Sequence, residues 1–113
     1  MIPFPNDKEL AGLRKYVEAG WAKPTLEERN EKRFSSTMEE IDEFYNAMME
    51  KMDYVMTNLQ KFDVDTISPE WRTIMQLGLA FMDAAPAVEI YRVPDLKDAY
   101  FDFRRVNVRE VRL

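Results

Sequence analysis

The spacing of hydrophobic residues predicts a long helix over residues 36–62. Its hydrophobic residues follow one another at intervals of three and four positions: Met38, Ile41, Tyr45, Met48, Met52, Val55, Leu59 and Phe62. This is the a/d spacing of an amphipathic helix, kept for more than three heptads. Hydrophobic residues never alternate with period two, which argues against a strand. Either Ser36 with Glu39 or Thr37 with Glu40 offers a capping box at the start.

A second helix is predicted over residues 68–85 and is hydrophobic on nearly every side. Ser68 suits the N-cap and Pro69 the first helical position. A helix of this kind normally lies at the centre of a fold. The short intervening loop predicts that the two helices pack antiparallel as an αα-hairpin. Pro86 is expected to kink or restart the helix, with Asp83 as the cap of the following turn.

Two shorter helices are predicted before the hairpin. Residues 6–20 form the first, which Gly20 ends. Residues 25–34 form a polar second helix with a capping box at its start. Because this helix has only Leu26 and Phe34 to bury, we expect it to be a connector on the surface.

The chain ends differ in character from this helical middle. Residues 1–5 are expected to form an N-terminal arm, and residues 92–113 an extended C-terminal arm in which hydrophobic residues stand two apart. A lone strand has no partner inside a helical monomer. The C-terminal arm is therefore expected to lie along a helical groove or to pair with its twin in a dimer. Its hydrophobic residues are interface candidates: Phe101, Phe103, Val106 and Val108.

Length and composition indicate a single globular all-α domain. The chain has 113 residues, of which 46% are hydrophobic and 33% charged. Its formal net charge of -5 disfavours binding to nucleic acid and to anionic membranes. No run of about 18 hydrophobic residues predicts a membrane span. The N-terminus lacks the pattern of a signal peptide. Together with the absence of cysteine, this leads us to expect a cytoplasmic protein.

The residue inventory excludes several kinds of chemistry. With no histidine and no cysteine, the chain cannot build a Ser-His-Asp or Cys-His catalytic set. We expect no metal and no cofactor. Methionines four positions apart can bind Cu(I), but Met48 and Met52 share a stripe with hydrophobic residues and are interpreted as core. Met49, Met56 and Phe44 flank that stripe and are candidates for an interface.

Two carboxylates are weak candidates for acid/base catalysis. Asp83 lies in the most hydrophobic helix, where burial would raise its pKa. The alternative interpretation, an N-cap, is favoured over that role. Glu89 is a weaker candidate of the same kind.

An aromatic pocket for an apolar ligand is a further hypothesis. Its candidate residues are Tyr45, Trp71, Phe81 and Tyr91. Aromatic residues at helical spacing more often belong to a core.

The sequence therefore predicts a small acidic interaction protein without catalytic activity. It is expected to form a homodimer, or to bind another protein, as an accessory, adaptor or inhibitor-type protein. The alternative is a helical binder of an apolar small molecule, or an enzyme acting on one with a buried carboxylate.

Overall fold

The computed structural model of the chain describes residues 2–91, without the side chain of Tyr91. A 3-10 turn at Ala11–Leu13 leads into helix α1 (Arg14–Glu18). Helices α2 (Leu26–Phe34), α3 (Met38–Leu59) and α4 (Pro69–Pro86) follow, and α4 continues as a π-helical segment at Ala87–Tyr91. The part of the chain so described contains no strand, and the prediction of an all-α fold is confirmed. The predicted C-terminal arm lies outside it.

Helix α3 begins where one of the two predicted capping boxes places it. The hydroxyl of Thr37 accepts a hydrogen bond from the Glu40 backbone N–H at 3.1 Å. In return, the Thr37 N–H donates to the Glu40 carboxylate at 2.8 Å. Ser36 is buried instead, and its hydroxyl donates to the Lys32 carbonyl at 2.7 Å. The second capping alternative was therefore right, and α3 ends at Leu59, three residues before the predicted end.

Helix α4 begins at the predicted cap and ends at Pro86, one residue beyond the predicted end. The Ser68 hydroxyl accepts a hydrogen bond from the N–H of Trp71. The helix includes both Asp83 and Pro86 and then widens into the π-helical segment. The expected cap at Asp83 was therefore wrong. Proline removes one backbone donor and crowds the preceding turn, and the chain accommodates it by widening the helix, not by starting a new one.

The hydrophobic core lies between the α3–α4 hairpin and the N-terminal elements. The indole of Trp21 stacks on the ring of Phe44, with centroids 4.3 Å apart, and Tyr16 meets the same ring edge-on. Phe44 is completely buried. Its assignment to an interface was therefore wrong, because α1 and the turn after it cover the position that the heptad pattern placed at the edge of the stripe.

Helix α2 buries charge where hydrophobic burial was expected. Phe34 is 38% exposed and Leu26 is only half-buried, whereas Arg29 and Arg33 are buried towards α4. The expectation of a surface connector was therefore wrong.

The first predicted helix is shorter than expected. Only the five residues of α1 are α-helical, and a turn and the 3-10 segment precede them. Gly20 ends the element as predicted, since its φ of 99° is one that other residues rarely adopt.

Candidate functional site

One face of the α3–α4 hairpin is left open by the other described elements. On α3, Phe44 faces the N-terminal elements and Tyr45 faces α4. A helix turns by about 100° per residue, so Met49 and Met56 lie about 40° and 20° beyond Tyr45, on the side away from Phe44. Both are exposed, at 51% and 46%. These two predicted interface residues therefore lie on a surface, and their role in an interface stays a prediction.

The corresponding side of α4 is also uncovered. Phe81 faces α3 and Asp83 faces α2. Around the helix axis, the two directions are separated by two sides of α4. One side carries buried residues such as Leu77 and Ala84. The opposite side carries Met82, which is 63% exposed. Helix α4 is therefore not surrounded by the described elements, although its sequence pattern predicted a central helix.

The open side of α4 carries an uncharged stripe. Its residues follow at intervals of four, four, three, four and four: Trp71, Met75, Leu79, Met82, Pro86 and Ile90. Ile90 is 70% exposed and the first three are half-buried. We call this stripe, together with Met49 and Met56 of α3, the hairpin face, whereas Met52 packs half-buried against the core as predicted. The hairpin face is an apolar surface with four methionines, a side chain whose flexibility suits adaptable contacts.

Acidic residues border the hairpin face along α3. Continuing around that helix beyond Met49 and Met56 come Glu39, Asp42, Glu50 and Asp53. The one basic residue of α3, Lys51, lies on the other side and pairs with Glu9 at 3.3 Å. The hairpin face is thus an apolar surface with a negatively charged border.

The aromatic residues predicted for a ligand pocket pack against other rings. Tyr45 is buried and stacks on Phe81, with centroids 4.9 Å apart. Trp71 lies 6.0 Å from the ring of Phe62, and the side chain of Tyr91 is outside the described residues. Grooves lined by described residues lie elsewhere, with volumes of about 430 Å³ near Gly20 and about 290 Å³ near Phe4, and neither is lined by these rings. Neither groove supports the pocket hypothesis, which stays a prediction.

Glu89, the weaker acid/base candidate, lies on the surface and is held by a tyrosine. The hydroxyl of Tyr45 donates a hydrogen bond to its carboxylate at 2.5 Å. This bond, with the burial of the phenol, raises the pKa of Tyr45 to about 12. The pair ties the π-helical segment to α3, so a structural role accounts for both residues.

Asp83 is bound by two arginines of α2. Its carboxylate accepts a hydrogen bond from Nε of Arg29 at 2.7 Å, and its backbone carbonyl accepts one from Arg33 at 3.2 Å. The side chains of Arg29 and Asp83 are 5% and 22% exposed. The acid/base hypothesis assumed a carboxyl alone among hydrophobic residues. That assumption was wrong, because an arginine distant in sequence reaches it.

Residues 2–91 contain no candidate metal site and no candidate membrane span. There, no group of three or more acidic side chains is placed to hold a metal ion. None of the helices described is both long enough and apolar enough to cross a membrane.

Comparison with known proteins adds no further assignment. No protein-family model, no curated protein and no solved structure matches the chain. The hairpin face is therefore the candidate site on geometry alone.

Sequence reasoning missed two features of this region. The pairing of Arg29 with Asp83 leaves no local signal, because 54 residues separate the two. The stripe on α4 does leave one, since its spacing can be read from residues 71–90 without any structure. What that spacing cannot show is that no described element covers the stripe.

Proposed function

We propose that this protein is an interaction protein without catalytic activity, and that two copies associate through the hairpin face. The observation that carries the proposal is the exposure of four large apolar side chains on one face: Met49, Met56, Met82 and Ile90. Contiguous apolar patches on soluble proteins typically mark interaction sites. Removal of such apolar surface from water favours association.

The spacing along α4 supports a symmetric homodimer. Its intervals read the same in both directions, so Trp71 and Ile90, Met75 and Pro86, and Leu79 and Met82 are equidistant from the middle of the stripe. Two antiparallel copies of α4 would therefore align these pairs about a two-fold axis. Such an isologous contact, in which the same patch serves both subunits, is the commonest way for identical chains to associate.

The alternative is that the hairpin face binds a different protein. The acidic border of α3 would favour a partner with basic residues beside its apolar ones. This matches the adaptor or inhibitor-type roles expected from the sequence. A cytoplasmic location is part of the proposal, and the absence of cysteine supports it.

The oligomeric state of the full chain tests the proposal. We expect sedimentation velocity and native mass spectrometry to show a species of twice 13.4 kDa that grows with concentration. Met49→Lys combined with Met56→Lys should weaken association. Val64→Lys is the matched control, since Val64 is 57% exposed in the loop between α3 and α4. A monomer at every concentration, or equal effects of both variants, would contradict the homodimer.

The same native spectra test the small-molecule alternative. Protein purified gently from its host should carry no additional mass. A reproducible excess mass on the monomer or dimer would instead indicate a bound small molecule and contradict a pure interaction role. The packing of Tyr45 on Phe81 and the pairing of Asp83 with Arg29 support the first outcome.

A further inference from the structure

We infer that residues 92–113 dock on the hairpin face of their own chain and compete there with a second copy. This inference rests on the proposed function in one respect, namely that the hairpin face binds protein. It adds the identity of one occupant. The docking is supported by the position where the described backbone ends, by the length of chain that follows, and by the charges of the segment and of the face.

The described backbone ends at one edge of the hairpin face. Tyr91 directly follows Ile90, the last residue of the stripe on α4. After Arg92 and Val93, Pro94 and Asp95 form a sequence typical of a turn, because proline presets φ and aspartate bonds its own backbone. A reversal there would direct the remaining residues back along α4.

The remaining length is sufficient to cover the face. From Trp71 to Ile90 the stripe spans 19 residue steps, or about 29 Å at 1.5 Å per residue. Residues 96–113 would reach about 59 Å if extended at 3.3 Å per residue. About half of them are enough.

The side chains of this segment complement the hairpin face. Phe101 and Phe103 stand two apart, as do Val106 and Val108, so each pair faces one way in an extended backbone. Since Phe103 and Val106 are three positions apart, the two pairs face opposite sides, and the phenylalanine pair is the one that supplies apolar contacts for the exposed methionines. Arg104 and Arg105 lie between the two pairs, within reach of the acidic border of α3.

The C-terminal segment and the rest of the chain carry net charges of opposite sign. Residues 92–113 carry six basic and four acidic side chains, whereas residues 1–91 carry ten basic and 17 acidic ones. The segment is therefore a cationic partner for an anionic body. Attraction of this kind guides the segment to its site and sets its register more than it adds affinity.

Covalent linkage favours the chain's own segment over a second copy. A short flexible connection gives a tethered group an effective concentration on the order of millimolar. A second copy reaches such a concentration only in a very concentrated solution. Docking of residues 92–113 thus sets the concentration at which the proposed homodimer forms.

Photo-cross-linking of the full chain tests this docking directly. The probe variant is Phe103→p-benzoylphenylalanine, and the control carries the same photoreactive residue at Val64. We expect intramolecular cross-links from position 103 to peptides that contain Met49, Met56 or Met82. Adding Arg104→Glu and Arg105→Glu should lower their yield severalfold, whereas Lys8→Glu, at an exposed site elsewhere, should not change it.

Mixing unlabelled and isotope-labelled copies identifies which chain supplies the segment. Cross-links within one copy support the inference. Cross-links that join two copies would overturn it and assign the segment to the partner. Cross-links to other parts of the chain, or a yield no higher than from position 64, would overturn it as well.

The oligomeric state provides an independent test of the competition between the segment and a second copy. Phe101→Ser with Phe103→Ser should raise the dimer fraction at a given concentration, because the competing segment is weakened. A fall would overturn the competition. A wild-type chain that stays monomeric but cross-links internally would refute the homodimer while leaving the docking intact, so the two proposals fail separately.

Discussion

At the scale of single residues, charge inside this fold is neutralised by a partner from a distant part of the chain. Arg29 has only 5% of its side chain exposed and meets Asp83 of α4 at 2.7 Å. A buried guanidinium without a counterion is strongly unfavourable. The pair therefore fixes how α2 packs on α4. From the hydrophobic pattern, only Leu26 and Phe34 were expected to be buried in this helix.

Removing the carboxylate should destabilise the fold. We expect Asp83→Asn to lower the free energy of unfolding by about 3 kcal/mol, near the lower end for a broken buried pair because Asp83 keeps some exposure. Urea titration followed by circular dichroism measures the change. Asp65→Asn, in the exposed loop before α4, is the matched control. Equal stability of the two variants would show that the ion pair contributes little.

The Tyr45–Glu89 pair predicts a loss of stability at high pH. The pKa of Tyr45 is raised to about 12 from an ordinary value near 10. The fold thus favours the neutral phenol, and this contribution is complete below pH 10 and is lost as the pH rises through about 12.

Spectrophotometric titration can isolate this phenol. The difference in tyrosinate absorbance between wild type and Tyr45→Phe should titrate near pH 12. The variant should also lose less stability than wild type between pH 10 and 12. A difference curve centred near pH 10 would contradict the hydrogen bond to Glu89.

At the scale of elements, the helix starts are determined locally and the helix surroundings are not. Thr37, Thr25 and Ser68 each cap the helix that the sequence predicts after them, because a cap needs only a side-chain oxygen close to the first free N–H groups. The continuation of α4 through Pro86 was not predicted. It places a proline inside a helix, which local rules disfavour because the ring removes a backbone donor and crowds the preceding turn.

The cap of α3 is open to a direct test. We expect Thr37→Ala to cost about 1 kcal/mol of stability, the usual value for losing a side-chain cap. Thr57→Ala, in the exposed interior of the same helix, should be nearly neutral or slightly stabilising, because alanine is the better helix former. Thermal unfolding compares the two. Equal losses for the two variants would contradict the assigned cap at Thr37.

At the scale of the whole molecule, one core connects elements that are far apart in sequence. The same cluster of buried residues runs from Leu10 to Ala84, with Trp71 packed against its edge. A single core of this size is expected to unfold cooperatively. The two tryptophans report on different parts of it, since Trp21 stacks on Phe44 and Trp71 lies beside Phe62.

Cooperativity can be measured with single-tryptophan variants. Trp21→Phe and Trp71→Phe each leave one fluorescent reporter. In each variant we expect the fluorescence transition in urea to coincide with the loss of helical circular dichroism. A separate transition at lower urea concentration, reported by Trp71, would show that the loop end of the α3–α4 hairpin unfolds independently and that the core is not one cooperative unit.

The sequence by itself determined the helical class, the two long helices with their caps, and the spacing of apolar residues on α3 and α4. These follow from interactions between residues only a few positions apart, which do not depend on the tertiary fold. Only the tertiary structure decided that Phe44 is core, that Arg29 neutralises Asp83, and that one side of α4 is left open by the described elements. Each of these depends on which distant segment lies beside a helix, and periodicity along one helix contains no information about its neighbours.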